Sequence, residues 1–210
     1  MKKLFQHLKN VVQSILTMLL FTRAFKHINP QSVVIDCGAN VGDISLKLAK
    51  KGARVYAFEP NPYAFDVLSE RLKKFDKVTC INKGVWDKNV KTSLFFHKNS
   101  KQDRVFWSFG SSILRDKVNI DSYDSVDVEL IDLTEFIDQL DTEIDLLKID
   151  IEGAECEVLQ KLIEQEQYNK IKLIVVETHD QKIAGQKEKT DKIREMIKHQ
   201  NIKNIKLSWL

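Results

Sequence analysis

One stretch of this chain constrains its fold more than any other. Val33-Val34-Ile35 is an apolar, β-branched run that ends in an acid, Asp36. A turn with two glycines follows, Gly38-Ala39-Asn40-Val41-Gly42, and a helical pattern begins at Asp43. A second apolar run, from Arg54 to Phe58, closes on another acid, Glu59. Strand, tight turn, helix and second strand make a nucleoside-binding βαβ unit. Its glycines let backbone approach a ligand, and the acid after the second strand takes the ribose hydroxyls.

The turn departs from the dinucleotide pattern. That pattern needs Gly-x-Gly-x-x-Gly with a helix N-terminus aimed at pyrophosphate. Here Asn40 replaces the second glycine, and Asp43 puts a carboxylate at the helix start. A carboxylate there repels pyrophosphate and tolerates an ammonium or sulfonium. The turn therefore favours S-adenosylmethionine over NAD, with Asp36, Gly38, Ala39, Asn40, Gly42 and Glu59 as the expected cofactor contacts. A plain structural turn is the alternative.

The 210 residues suit one domain with a short appendage. A net charge of +3 argues against nucleic acid unless the cations cluster. Cys37, Cys80 and Cys156 show no paired spacing, which fits buried thiols in a reducing compartment and gives no zinc pattern. No residue set is assigned as a metal site. Leu4, Leu8, Val11, Ile15 and Leu19 recur at helical spacing beside Lys2, Lys3 and Lys9. Residues 1–29 thus read as an amphipathic helical segment that packs on the domain or a partner, or touches a membrane surface peripherally. The apolar run is too short to span a bilayer, and no small-x-small cleavage site follows it. The expected location is cytoplasmic, with membrane association left open.

Residues 30–210 form the expected second unit. Strands are predicted at 33–37, 54–58, 78–85, 144–149, 171–177 and 205–209, with helices at 43–51, 61–75, 134–140, 154–166 and 190–200. This alternation implies an α/β fold, a mostly parallel twisted sheet with helices on both faces. Runs at 92–97 and 126–131 interrupt it. They read as a hairpin insertion carrying a mobile loop around Trp107 and Gly110-Ser111-Ser112.

A second charged constellation follows the strand that ends at Ile149. Lys148 and Asp150 share one strand face, Glu152 lies in the turn, and Glu155 sits in the first helical turn. Glu177 and His179 follow the next strand. Parallel pairing brings both strand ends beside Asp36 and Glu59, at the sheet edge where ligands bind. Lys148, Asp150, Glu152, Glu177 and His179 are the candidate catalytic residues, and Asp150 is a cofactor contact as well. Glu155 reads first as an acid favourable to the helix dipole.

Taken together, Val34–Gly42, Phe58-Glu59-Pro60-Asn61, Leu147–Glu155 with Leu159, and Val176-Glu177-Thr178-His179 resemble the FkbM family of S-adenosylmethionine-dependent methyltransferases. The resemblance implies a Rossmann-like class I methyltransferase fold whose last strand is antiparallel. It also implies O-methylation of a sugar, glycan or other small-molecule hydroxyl, with surface-polysaccharide biosynthesis as a common setting. Asp150 or His179 is the expected base, His179 being favoured by an imidazole pKa near neutrality. Magnesium held by Glu152, Glu177 and His179 is left open. Two rival classes are a nucleic-acid methyltransferase and a non-catalytic binding protein on the same fold. No nucleic-acid partner is expected, because Asn61-Pro62-Tyr63 follows the wrong strand for an amine-methylating motif.

Overall fold

The computed structural model describes residues 25–180 and 183–207. The helix read between Leu4 and Leu20, and the strand end beyond Leu207, lie outside the described residues. In chain order the elements are β1 (Val33–Cys37), α1 (Asp43–Lys50), β2 (Arg54–Phe58), α2 (Pro62–Leu72), β3 (Val78–Ile81), β4 (Gly84–Trp86) and β5 (Val90–His97). They continue with β6 (Ile120–Asp132), α3 (Leu133–Leu140), β7 (Leu146–Ile149), α4 (Glu155–Glu164), β8 (Ile174–Val176), α5 (Gln186–His199) and β9 (Ile205–Leu207).

The main sheet has six strands in the order β3-β2-β1-β7-β8-β9, all parallel. Alternation of side chains along each strand separates two cores. Val33, Ile35, Cys37, Leu147 and Ile149 face one side, with Leu133 and Ile137 of α3 and Leu159 and Leu162 of α4. Val34, Val55 and Leu146 face the other, with Leu48 of α1 and Leu68 and Leu72 of α2. Phe25 and Ile28 are buried in that second core. The helices start where local chemistry starts them. Asn61 caps α2 by accepting from the Tyr63 N–H (3.0 Å), with Pro62 in the first turn, and Asp132 caps α3 by accepting from the Thr134 N–H (2.9 Å).

Three expectations need correction. The run 78–85 is two strands, because polar Asn82 and Lys83 break it and β4 leaves for another sheet. The insertion is more than a hairpin: β4 pairs parallel with β6, and β6 antiparallel with β5, in a three-stranded sheet of order β4-β6-β5. The last described strand is parallel, with Ile174 opposite Ile205. Helix α5 returns the chain to the same sheet edge in the sense of a crossover connection, so β9 runs with β8.

Candidate functional site

The order of strands reverses beside β1, which sits between β2 and β7. A ligand crevice is expected outside the strand ends at such a point. Register puts the acids there: Asp36 lies opposite Lys148, and Cys37 opposite both Phe58 and Ile149.

One half of the site is built from backbone. Gly38 has φ +77°, and a Cβ on it would lie 1.8 Å from the Asp150 carbonyl oxygen. The position thus requires glycine for the turn to pass the β7 strand end. Asn40 also adopts a left-handed conformation, φ +50°. Its N–H donates to Glu59 Oε2 (2.8 Å), and the Asn61 N–H donates to Oε1 (2.8 Å). The Glu59 carboxylate is thereby fixed at the cleft wall with lone pairs remaining on both oxygens. Burial pushes its pKa up to about 7, partly offset by the Asn61 and Asn40 N–H groups.

Gly38, Asn40, Glu59 and Asp150 line one cleft. Asp36, Ala39 and Gly42 stand behind it. Asp36 is fully buried and accepts from Ser45 Oγ (2.6 Å). Ala39 packs in the core, and a Cβ on Gly42 would meet Leu68 Cδ1 at 2.6 Å. Asp43 is taken up by Arg71 (2.8 Å). It does not line the cleft, contrary to the reading of the turn alone.

The second half is a buried charge cluster. Lys148 is 2% exposed and donates to the carbonyls of Cys37 (3.2 Å) and Gly38 (2.7 Å). It pairs with Asp36 Oδ1 (3.3 Å) and Asp150 Oδ2 (3.4 Å). Burial opposes its charge, but Asp36 and Asp150 outweigh burial and hold its pKa above the usual lysine value. Lys148 therefore ties the β1 turn to the β7 end and does not face the cleft. Asp150, Glu152 and Glu177 do line it. Burial raises the pKa of Asp150, with Lys148 opposing and Glu152 reinforcing.

His179 lies behind these acids, 2% exposed. Its Nδ1 is 2.9 Å from Glu155 Oε1, which also accepts from the Ile151 (3.1 Å) and Gly153 (3.0 Å) N–H groups. Its Nε2 faces Glu152 Oε2 (3.1 Å), Glu177 Oε1 (3.8 Å) and Asp150 Oδ1 (4.0 Å). Burial opposes protonation, but Glu152 and Glu155 outweigh it and lift the pKa to about 10. The expectation of a base titrating near neutrality is corrected on that ground, because carboxylates crowd the ring.

The insertion supplies the remaining wall; its loop around Trp107 and Gly110-Ser111-Ser112 was named from the sequence, but the partners of its side chains were not. Ser108 Oγ accepts from Asn40 Nδ2 (2.8 Å) and Ser111 Oγ from Asn61 Nδ2 (3.2 Å). Lys117, buried, donates to Glu152 Oε2 (2.6 Å) and the Gly110 carbonyl (2.8 Å). Ser112 Oγ donates to the Glu152 carbonyl (2.7 Å). Trp107 stacks on His97 at 4.4 Å, and Phe109 lines the cleft while half exposed. Glu155 was legible as charge but not as a partner of His179. Lys117 carried no local signal.

The model of the methyltransferase FkbM domain matches residues 36–203. The methyltransferase sdnD of Sordaria araneosa is 32% identical over 172 residues, 69% of this chain and 65% of that protein. Ribosomal RNA small subunit methyltransferase A of Pediococcus pentosaceus is 31% identical over 75 residues, 36% of this chain and 25% of that protein. The chain thus spans less than two thirds of the length of either relative. Among solved structures, a Streptococcus mutans protein in complex with SAH is 13% identical with a TM-score of 0.46, covering 86% of this chain and 80% of that one. The family match runs from the end of β1 through α5 and takes in both halves of the cleft, so the chain belongs to the family of the methyltransferase FkbM domain.

Proposed function

We propose that the chain is an S-adenosylmethionine-dependent O-methyltransferase acting on a hydroxyl of a sugar, glycan or other small molecule. One observation carries this reading: a single cleft joins Glu59 and the Gly38 turn to Asp150, Glu152 and Glu177. The donor set fits the methyl donor. A fixed carboxylate suits ribose hydroxyls, Val85, Leu94 and Leu130 offer an apolar wall for a base, and the far end is acidic where an ammonium and a sulfonium have to sit. Among the described residues no Lys or Arg lines the cleft, which suits neither a pyrophosphate nor a nucleic-acid backbone.

When bound, S-adenosylmethionine supplies a methyl group on a cationic sulfur. The chain has to hold an acceptor oxygen in line with it and take the hydroxyl proton. Asp150 is the group for the proton. It faces the cleft, and its raised pKa makes it a stronger base than an ordinary aspartate. Lys148 orients it from behind. His179, buried behind the cleft between Glu155 and Glu152, orients these acids from behind. Phe109, exposed and lining the cleft, offers an apolar face to an acceptor ring.

The test is mass spectrometry after incubation with methyl-labelled S-adenosylmethionine and a panel of sugars, glycans, phenols and RNA. The label is expected on a hydroxyl oxygen of a small molecule or glycan. Label on RNA bases alone contradicts the reading, as does cofactor binding without transfer to any member of the panel. Asp150→Asn is expected to lower turnover by about a hundredfold or more while cofactor affinity changes far less. Unchanged turnover removes Asp150 from the role.

A further inference from the structure

We infer that His179 Nε2, Asp150 and Glu152 form a binding site for a borderline divalent cation, Mn²⁺ or Zn²⁺. The binding claim stands on the geometry alone. Its role in the reaction, binding the acceptor hydroxyl, rests on the proposed function.

Glu155 Oε1 accepts two backbone N–H groups, so it is an acceptor toward His179 as well, and Nδ1 is the donor. That network leaves the Nε2 position directed at the acids, and Nε2 is buried without a hydrogen bond of proper geometry. One ligand atom from each of Asp150, Glu152 and His179 lies within 4.8 Å of the others. Bonds of about 2.0–2.2 Å bring neighbouring ligand atoms to roughly 3.0–3.5 Å, so the set needs a contraction of about an ångström at its widest. A carboxylate on the far ring nitrogen is the usual way a metal-binding histidine is oriented.

Charge points the same way. Among the described residues, Asp36, Asp150, Glu152, Glu155 and Glu177 crowd this region, with Lys148 and Lys117 as its ammonium groups. Glu152 holds a left-handed backbone, φ +57°, where side chains are rarely found. Ser112 and Lys117 secure it there. Such strain at a polar position is a mark of a functional site. One imidazole with two carboxylates suits Mn²⁺ or Zn²⁺, whereas Mg²⁺ prefers oxygen ligands alone. A cation there lies beside Asp150 and lowers the pKa of a hydroxyl bound to it.

The experiment titrates MnCl₂, ZnCl₂ and MgCl₂ separately into chelator-treated, dialysed full chain by calorimetry. One Mn²⁺ or Zn²⁺ per chain is expected, with affinity at least tenfold weaker in both His179→Gln and Glu152→Gln. Circular dichroism melts establish that each variant is folded, and Asp150→Asn is a second route if His179→Gln is not. The inference is overturned if neither ion binds stoichiometrically, if Mg²⁺ binds as tightly, or if the folded variants keep the affinity of the parent. Titration of S-adenosylmethionine into the same samples separates the two claims. Cation binding that is lost in the variants supports the site even where the methyl donor fails to bind, and that failure contradicts only the proposed function.

Discussion

At the scale of single residues, the site depends on backbone groups that hold carboxylates in place. Glu59 receives one N–H on each oxygen, and Gly38 leaves room for the Asp150 carbonyl. Gly38→Ala is expected to abolish cofactor binding or the fold of the turn, since the added methyl meets backbone that cannot move aside. Normal calorimetric binding by that variant would show that the turn is structural only. Glu59 also gives a pH dependence. Its pKa is raised to about 7 in the fold by burial, with Asn61 and Asn40 N–H groups and Lys148 lowering it and Asp36 raising it. The neutral form therefore favours the fold below the unfolded value, and this contribution is lost as pH rises through about 7. Binding has the opposite sign, because the ionised form accepts the ribose hydroxyls. Cofactor affinity is expected to fall by about tenfold from pH 8 to pH 6. Glu59→Gln should lose that part of the dependence, and equal slopes for parent and variant contradict the assignment.

Among the elements, β1, β2, β7 and their turns were legible because each combines an apolar run with a breaker and an acid. The insertion was legible only as an interruption. Val78 to Val85 reads as one apolar strand, yet Asn82 turns it, and its side chain donates to the Glu59 carbonyl (2.9 Å). The partner of β4 is β6, far along the chain, and no local pattern encodes that pairing. The same distance hides the serine contacts that join the insertion to Asn40 and Asn61. These contacts tie the insertion to the proposed ribose site, because the two asparagines carry the N–H groups that hold Glu59. Ser108→Ala combined with Ser111→Ala is expected to weaken cofactor binding about fivefold to thirtyfold, taking about 1 kcal/mol for each lost hydrogen bond. Calorimetric affinity equal to the parent would show the insertion and the ribose site to be independent.

Viewed as a whole molecule, the fold class was readable from alternation, and the sheet edge where the candidate residues gather from where the charges fall. What the sequence left open was which charges meet. Lys148 and Asp150 share a strand face, but that does not say that Lys148 turns inward to Asp36 and two carbonyls while Asp150 faces the cleft. An antiparallel last strand was what the family resemblance implied; the last described strand, β9, instead pairs parallel with β8. Among the described residues no helix is long and apolar enough to cross a membrane. The central claim is that one cleft binds the methyl donor through Glu59 beside an acidic reaction centre. Calorimetric titration of S-adenosylmethionine into the parent chain and Glu59→Ala tests it most directly. The account predicts one saturable site in the parent and affinity at least about tenfold weaker in a folded Glu59→Ala, from the 1.5–3 kcal/mol typical of a hydrogen bond to a charged group. No binding by the parent, or equal affinity in both, would contradict it.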